Sequence, residues 1–165
     1  MMGLAFEETE VGMSFDLGSY HFTREKILEF ARRFDPQPFH VSDDEAKRGP
    51  FGQLAASGWH TGAGWMKCYV ATNQREEERR KAAGLPVYPV GPSPGFVNLR
   101  WAKPVFAGDT VSYRVAVTGK RALASRPSWG LVFTFCEGFN QRGEDRKSTR
   151  LNSSHSQQSR MPSSA

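Results

Sequence analysis

Residues 34–40 read FDPQPFH, and residues 55–61 read AASGWHT. The first stretch places the carboxylate of Asp35 and the imidazole of His40 five residues apart, in a turn that contains two prolines. Because proline fixes its own φ and restricts the residue before it, this turn can hold polar side chains in place without regular backbone pairing. The second stretch places Ser57-Gly58 directly before an apolar run, and the unpaired N–H groups of a helix start suit a developing oxyanion. Together they predict a carboxylate and an imidazole held in a stiff turn, and a helix start that can stabilise an anion.

The spacing of apolar residues predicts helices in the first half of the chain and strands in the second half. Helical spacing over residues 24–34 and an S-x-x-E capping box at residues 42–45 predict two short helices. The run from about residue 54 or 58 to residue 72 is apolar on more than one face, which predicts a long buried helix with a solvated, charged extension over residues 76–81. Strands are predicted at residues 13–22, 96–101, 110–120 and 130–141. This order predicts an α+β fold with an antiparallel sheet.

Composition excludes several functional classes. The formal net charge of +5 is concentrated at the end of the chain, since residues 1–144 hold 18 basic and 16 acidic side chains. A nearly neutral domain without a basic, aromatic stripe argues against nucleic-acid binding. No apolar run is long enough to span a membrane, and the N-terminal stretch has no signal-peptide pattern. Cys68 and Cys136 lack metal-type spacing, so we expect buried, reduced thiols in a cytoplasmic protein.

The last residues differ in composition from the rest. From Lys147 to Ala165 the chain is rich in Ser, Asn, Gln and Arg and nearly free of apolar residues, which is typical of disorder. Residues 145–155, DRKSTRLNSSH, read like the translation of a common sequencing adapter, and a natural Ser-rich tail is the alternative. We therefore expect one domain over residues 1–144 with its final strand truncated, followed by a disordered, adapter-derived tail over residues 145–165. The raw nucleotide sequence distinguishes the two origins.

Three motifs in order resemble the MaoC-like dehydratase and (R)-specific enoyl-CoA hydratase family. They are DPQPFH at residues 35–40, PFGQLAASGWHT at residues 50–61 and PVFAGDT at residues 104–110, and the likeness covers most of residues 5–144. The resemblance implies a hotdog fold, in which an antiparallel sheet wraps around a long central helix. It also implies water addition to, or removal from, the α,β double bond of a CoA or acyl-carrier thioester in fatty-acid metabolism. The buried central helix and the exposed edges of the predicted sheet indicate a homodimer. No motif for a metal or a nucleotide occurs, so we expect no cofactor.

The resemblance also assigns candidate site residues. Asp35 and His40 take the acid–base roles around one water, and the amide of Gly58 is the oxyanion donor. The alternative for the pair is an aspartate that ends a helix and a histidine packed under an aromatic ring. Further substrate-binding candidates are Ser57, Gln37, Phe39 and Arg100.

Three positions depart from the family pattern, and several roles stay open. Phe34 stands where glycine is often found, Gln37 where asparagine is usual, and Ser57 where histidine is frequent. Ser57 either contacts the substrate or caps the helix, and Arg100 either meets a CoA phosphate or is an ordinary exposed arginine. His60 is interpreted as a structural or interface histidine in preference to a second base.

Two other functions fit a hotdog protein. An acyl-thioester hydrolase would also use a carboxylate and a helix-start amide, but it would not need a histidine five residues after the aspartate. A non-catalytic protein could keep the tunnel to bind an acyl ligand. The presence of both Asp35 and His40 favours the hydratase.

Overall fold

One antiparallel sheet and one long helix dominate the chain. A computed structural model describes residues 2–126, 128–141 and 149–157, the last range as backbone. The elements in order are β1 (Ser14–His21), α1 (Arg24–Phe34), α2 (Pro38–Val41), α3 (Asp43–Arg48), α4 (Gly58–Ala82), β2 (Gly95–Trp101), β3 (Thr110–Ala122), β4 (Gly130–Asn140) and β5 (Thr149–Gln157). The sheet order is β1-β3-β4-β5-β2, and neighbouring strands run antiparallel. The α+β fold class predicted from the sequence is confirmed.

The short helices begin where the sequence predicts them. The Thr23 hydroxyl accepts a hydrogen bond from the Lys26 amide at 3.3 Å and caps α1. The Ser42 hydroxyl accepts one from the Glu45 amide at 3.3 Å and caps α3. The proline-containing turn differs from the prediction, because its second half forms the one-turn helix α2 with Pro38 at the first position. Proline suits that position since its missing N–H would have no partner there.

Helix α4 packs closely against the strands. Trp65, Cys68 and Tyr69 are buried in the core with the strand residues around Tyr113. The Tyr113 hydroxyl donates a hydrogen bond to the backbone oxygen of Thr61 at 2.9 Å. A methyl group on Gly64 would lie 2.9 Å from the same hydroxyl, so glycine is needed for this approach.

The prediction that α4 is buried on nearly all sides is wrong for the single chain. Trp59, Met66 and Val70 are 58%, 46% and 44% exposed. The physical reason is that a single sheet covers one side of a helix. The other side keeps an apolar stripe in contact with solvent.

Arg80 departs from the prediction that the charged extension of α4 lies at the surface. Its side chain is buried, its Nε donates to the backbone oxygen of Pro86 at 2.8 Å, and its Nη2 donates to the Glu8 carboxylate at 3.2 Å. The same carboxylate accepts a hydrogen bond from the Ala5 amide at 2.7 Å. These bonds tie the N-terminal segment and the loop after α4 to the helix.

Residues 149–157 also differ from the sequence-based expectation, which was disorder. They form β5 between β4 and β2 and pair with both. Ladder pairing is made by backbone N–H and C=O groups, so a polar segment can fill a position where two strands present unpaired edges. Residues 145–148 and 158–165 of the expected tail lie outside the described residues.

Within the described ranges, no helix combines the length and the apolar character needed to cross a bilayer.

Candidate active site

The segments singled out in the sequence surround one cavity. The end of α1, the helix α2, the start of α4 and the end of β2 enclose a volume of about 420 Å³. Six of the seven candidate site residues line it: Asp35, Gln37, Phe39, His40, Ser57 and Gly58. Its size falls within the range of small-molecule sites.

Asp35 and His40 face each other inside this cavity. Asp35 ends α1, and its amide donates to the backbone oxygen of Ala31 at 2.9 Å. His40 is buried on α2, and its Nε2 lies 3.6 Å from Oδ2 of Asp35. Nδ1 of His40 lies 2.7 Å from the backbone oxygen of Ala55. Because a carbonyl oxygen only accepts, Nδ1 carries the hydrogen, and Nε2 of the neutral ring presents a lone pair to the cavity.

The gap between these two side chains suits a shared water. A nitrogen–oxygen distance of 3.6 Å is too long for a direct hydrogen bond. A water beside the pair can hydrogen-bond to Oδ2 and to Nε2 at the same time. One water molecule can therefore donate hydrogen bonds both to Asp35 and to His40.

The carboxylate of Asp35 is held by two side-chain donors. The Ser57 hydroxyl donates to Oδ2 at 2.6 Å, and Nε2 of Gln37 donates to Oδ1 at 2.8 Å. Partial burial acts to raise the pKa of Asp35, but these two hydrogen bonds and the nearby His40 ring outweigh it, so the pKa lies below its ordinary value. Asp35 is therefore ionised at neutral pH.

Ser57 connects the start of α4 to the Asp35 carboxylate. Its hydroxyl accepts from the Trp59 amide at 3.2 Å, which caps α4, and donates to Asp35. The sequence left a cap and a substrate contact as alternatives, and the structure shows the cap together with a carboxylate contact. Phe39 packs edge-on against His40 with ring centroids 4.4 Å apart, so it also fixes the imidazole.

Trp101 lines the cavity, although the sequence gave it no site role of its own. A methyl group on Gly58 would lie 2.5 Å from Cε2 and Nε1 of its indole, so glycine is required there for the ring to pack against the helix start. A single sequence gives no signal for this contact, because β2 and α4 meet only in the folded chain.

Arg100 is not brought to the cavity. It is exposed on β2, and neighbouring strand residues point to opposite faces of a sheet. Because Trp101 lines the cavity, Arg100 points away from it. This placement favours the interpretation of Arg100 as an ordinary exposed arginine over a contact with a CoA phosphate.

The surroundings of His60 fit a structural role. It is 4% exposed, stacks on Phe30 with centroids 4.6 Å apart, and meets the edge of Phe22 at 4.9 Å. Burial, with a smaller contribution from the charge of Lys26, lowers the pKa of His60 to about 4. A neutral, aromatic-packed ring agrees with the structural interpretation.

A second, apolar cavity adjoins the first. It has a volume of about 350 Å³ and is lined by Trp59, Met66, Phe96, Leu99 and Trp101 among others. Trp59 and Trp101 line both cavities.

An antiparallel sheet against one long helix defines a hotdog protein, and in this chain a carboxylate and an imidazole face each other in a cavity at the helix start. The MaoC like domain family matches residues 7–128, and the chain belongs to that family.

Three relatives illustrate the similarity. The solved MaoC-like dehydratase from Rhodospirillum rubrum is 31% identical, with a TM-score of 0.79 over 97% of this chain and 99% of that one. The (R)-hydratase PhaJ1 from Pseudomonas aeruginosa is 21% identical, with a TM-score of 0.63 over 96% of this chain and 88% of that one. YdeM from Bacillus subtilis is 25% identical over 139 residues, which is 84% of this chain and 89% of that protein. The structural likenesses confirm the hotdog fold.

Proposed function

We propose that the protein is a hydratase/dehydratase that interconverts 2-enoyl and 3-hydroxyacyl thioesters. The observation that carries the proposal is the pair Asp35–His40, whose acceptor atoms lie 3.6 Å apart in a cavity that ends at the start of α4. Membership of the MaoC-like family supports this reaction class. The fold shared with an (R)-hydratase agrees with it.

In the hydration direction, one water bridges the pair. Asp35 accepts one hydrogen bond and orients the water, while Nε2 of neutral His40 accepts the proton as the water oxygen bonds to C3. We assign the proton to His40 because the hydrogen bonds from Ser57 and Gln37 make the Asp35 carboxylate a weaker base. The imidazolium, stabilised by Asp35, then returns the proton to C2, so the net change is the addition of one water. Dehydration follows the reverse path.

After the water oxygen has bonded to C3, the substrate is a thioester enolate. In this intermediate the thioester oxygen carries negative charge. The first N–H groups of α4 have no acceptor within the helix, and they carry the positive end of its dipole. The Gly58 amide is the first of them and lies on the cavity wall with Asp35 and His40. We therefore assign it as the donor to the thioester oxygen, a type of contact that contributes several kcal/mol in enzymes.

The substrate class follows from the chemistry. A CoA or acyl-carrier thioester makes the α-proton acidic enough for these groups, so the proposed reaction uses no cofactor. The two free cysteines, Cys68 and Cys136, are buried, which agrees with a reducing, cytoplasmic setting.

The proposal is tested with purified protein and crotonyl-CoA in two parallel assays. Hydration removes the ultraviolet absorbance of the conjugated enoyl thioester and releases no thiol. Thiol release with the absorbance change would identify the acyl-thioester hydrolase instead. If enoyl-CoAs of several chain lengths bind but neither lose their absorbance nor release thiol, the protein is a non-catalytic acyl-binding protein. Hydrolysis and binding without reaction would each contradict the hydratase.

Ser57→Ala will lower kcat/KM at neutral pH by about ten- to a hundredfold, because a hydrogen bond to a charged group contributes about 1.5–3 kcal/mol. Loss of this donor raises the pKa of Asp35, so the acid limb of the pH–rate profile moves to higher pH. Ser42→Ala is the matched control, since it removes the cap of α3 without touching Asp35. Suppose that Ser57→Ala and Ser42→Ala lower kcat/KM by the same factor and that the acid limb of the pH–rate profile does not move. Ser57 would then act only as a helix cap.

We also propose a homodimer. Five apolar side chains on α4 and β2 are 44–61% exposed: Trp59, Met66, Val70, Phe96 and Val97. Exposed apolar patches of this kind mark protein interfaces, and β2 lies at the edge of the sheet, where a second copy can extend it. Sedimentation of the protein at the mass of a single chain would contradict the dimer.

A further inference from the structure

The third sequence motif, residues 104–110, has no part in the mechanism proposed above. It contains a buried carboxylate, since Asp109 is 3% exposed. Oδ2 of Asp109 accepts a hydrogen bond from the Phe106 amide at 2.9 Å, and the Asp109 amide donates to the Phe106 oxygen at 3.0 Å. Oδ1 accepts a hydrogen bond from Nε2 of Gln141 at 3.0 Å. These bonds fix the turn over residues 106–109.

The segment at this turn pairs with the segment that leads into α4. Residues 54–56 lie antiparallel to residues 105–107, with Ala55 opposite Phe106. The amide after Ala55 donates to the oxygen before Phe106 at 2.7 Å, and the amide after Phe106 donates to the oxygen before Ala55 at 3.4 Å. Because hydrogen-bonded and non-hydrogen-bonded pairs alternate along antiparallel segments, the amide and the oxygen of Ala55 itself point away from Phe106.

Those two groups of Ala55 bind helix α2 instead. The Ala55 amide donates to the Phe39 oxygen at 3.3 Å, and the Ala55 oxygen accepts from Nδ1 of His40 at 2.7 Å. The second bond selects the neutral tautomer of His40 that has a lone pair on Nε2. The orientation of the Ala55 peptide therefore depends on the segment paired with it, and Asp109 holds that segment.

We propose that Asp109 is a positioning residue for His40. This inference rests on the proposed function, which makes Nε2 of His40 the base. The Asp109 carboxylate holds the Phe106 amide, the paired segments hold the Ala55 oxygen, and this oxygen keeps the hydrogen on Nδ1. Asp109 does not line the cavity, so it acts only through the fraction of His40 rings that present Nε2 as an acceptor.

Asp109→Asn tests this role. The introduced amide oxygen can accept from Phe106, but the introduced NH2 group then faces the NH2 group of Gln141. A flip of Gln141 gives no relief, because its Oε1 already accepts from the Thr110 amide at 2.8 Å. We expect part of the neutral His40 rings to carry the hydrogen on Nε2, which lowers kcat for crotonyl-CoA by about tenfold and leaves KM within about twofold.

The tautomer ratio of His40 is measured directly by nitrogen NMR. In protein labelled with 15N-histidine, a ring nitrogen that carries a hydrogen and one that does not differ widely in chemical shift. The signals of His40 are those that disappear in His40→Asn. The spectra are recorded without substrate at a pH at which the ring is neutral.

The double variant Asp109→Asn with Gln141→Glu is the rescue experiment. The carboxylate introduced at position 141 can accept both from the NH2 group introduced at position 109 and from the Thr110 amide. Every donor of the network again has an acceptor, so kcat and the tautomer ratio of His40 should return to wild-type values. This variant also decides the matter if Asp109→Asn alone does not fold.

Thr9→Val is the matched control for lost stability. Thr9 is fully buried, its hydroxyl donates to the Ala5 oxygen at 2.9 Å, and neither residue lines the cavity. The substitution keeps the shape of the side chain and removes one buried hydrogen bond, so the melting temperature should fall. The tautomer ratio of His40 and kcat should not change.

The inference is overturned if folded Asp109→Asn keeps the wild-type tautomer ratio, or if Thr9→Val changes that ratio equally. It is also overturned if the double variant does not fold or does not recover the ratio. Because the ratio is measured without substrate, it separates this inference from the proposed function. A changed ratio in a protein that hydrates no enoyl thioester would reject the hydratase and keep the positioning role. Hydration by the wild type, with an unchanged ratio in Asp109→Asn, would do the opposite.

Discussion

Asp35→Asn will lower kcat for enoyl-thioester hydration on the order of a thousandfold and leave the fold intact. The substitution keeps the size of the side chain but removes the charge that orients the water and stabilises the His40 imidazolium. One of the two partners, Ser57 and Gln37, can still donate to the remaining amide oxygen. The other can turn its own oxygen to accept from the new NH2 group, so we expect circular dichroism and the melting temperature to change little. Steady-state kinetics with crotonyl-CoA provide the measurement.

Asp16→Asn is the control for this variant. Asp16 is exposed on β1 and forms an ion pair with Arg114 at 3.1 Å, so its loss removes a carboxylate without reaching the cavity. It should keep wild-type turnover. If Asp35→Asn retained turnover within tenfold of the wild type, Asp35 would have no place in the mechanism.

His40→Ala will reduce kcat by a similar or larger factor, because it removes the group assigned to accept and return the proton. It also removes the hydrogen bond between Nδ1 and the Ala55 oxygen, so some loss of stability is expected as well. His40→Asn separates the two effects. The asparagine amide can donate to Ala55 in place of Nδ1, but it offers nothing in place of Nε2.

We expect His40→Asn to regain stability and to stay inactive. His21→Ala is the control histidine, since His21 is exposed and bonds to Thr110 with its Nδ1 at 3.0 Å, outside the cavity. A rise in KM with unchanged kcat in both His40 variants would make His40 a positioning residue. The proton would then have to be assigned to Asp35.

Features encoded by neighbouring residues could be predicted from the sequence. The caps Thr23 and Ser42 mark the starts of α1 and α3 because their partners lie three residues away. The proximity of Asp35 and His40 could be predicted because they are close in sequence and the two prolines between them restrict the backbone. The alternation of apolar residues in β3 gave its buried face for the same local reason. In β4 the alternation through Leu131, Phe133 and Phe135 indicated the wrong face, because Val132, Thr134 and Cys136 are the buried residues.

Features that depend on distant contacts could not be predicted. The ion pair between the buried Arg80 and the exposed Glu8 joins positions 72 residues apart, and the sequence around Arg80 looks like a solvated face. The contact between Trp101 and Gly58 exists only after β2 packs on α4. Side-chain composition predicted disorder for residues 149–157, but the pairing of β5 depends on backbone groups offered by β4 and β2.

The most direct test of the central claim follows the oxygen atom of the added water. Crotonyl-CoA is incubated with the wild-type protein in water labelled with heavy oxygen, and the product is analysed by mass spectrometry. The account predicts an intact thioester that carries the heavy oxygen on the C3 hydroxyl. Heavy oxygen in the carboxylate of a released acid would contradict it, because the water would then have attacked the thioester carbon and not the double bond.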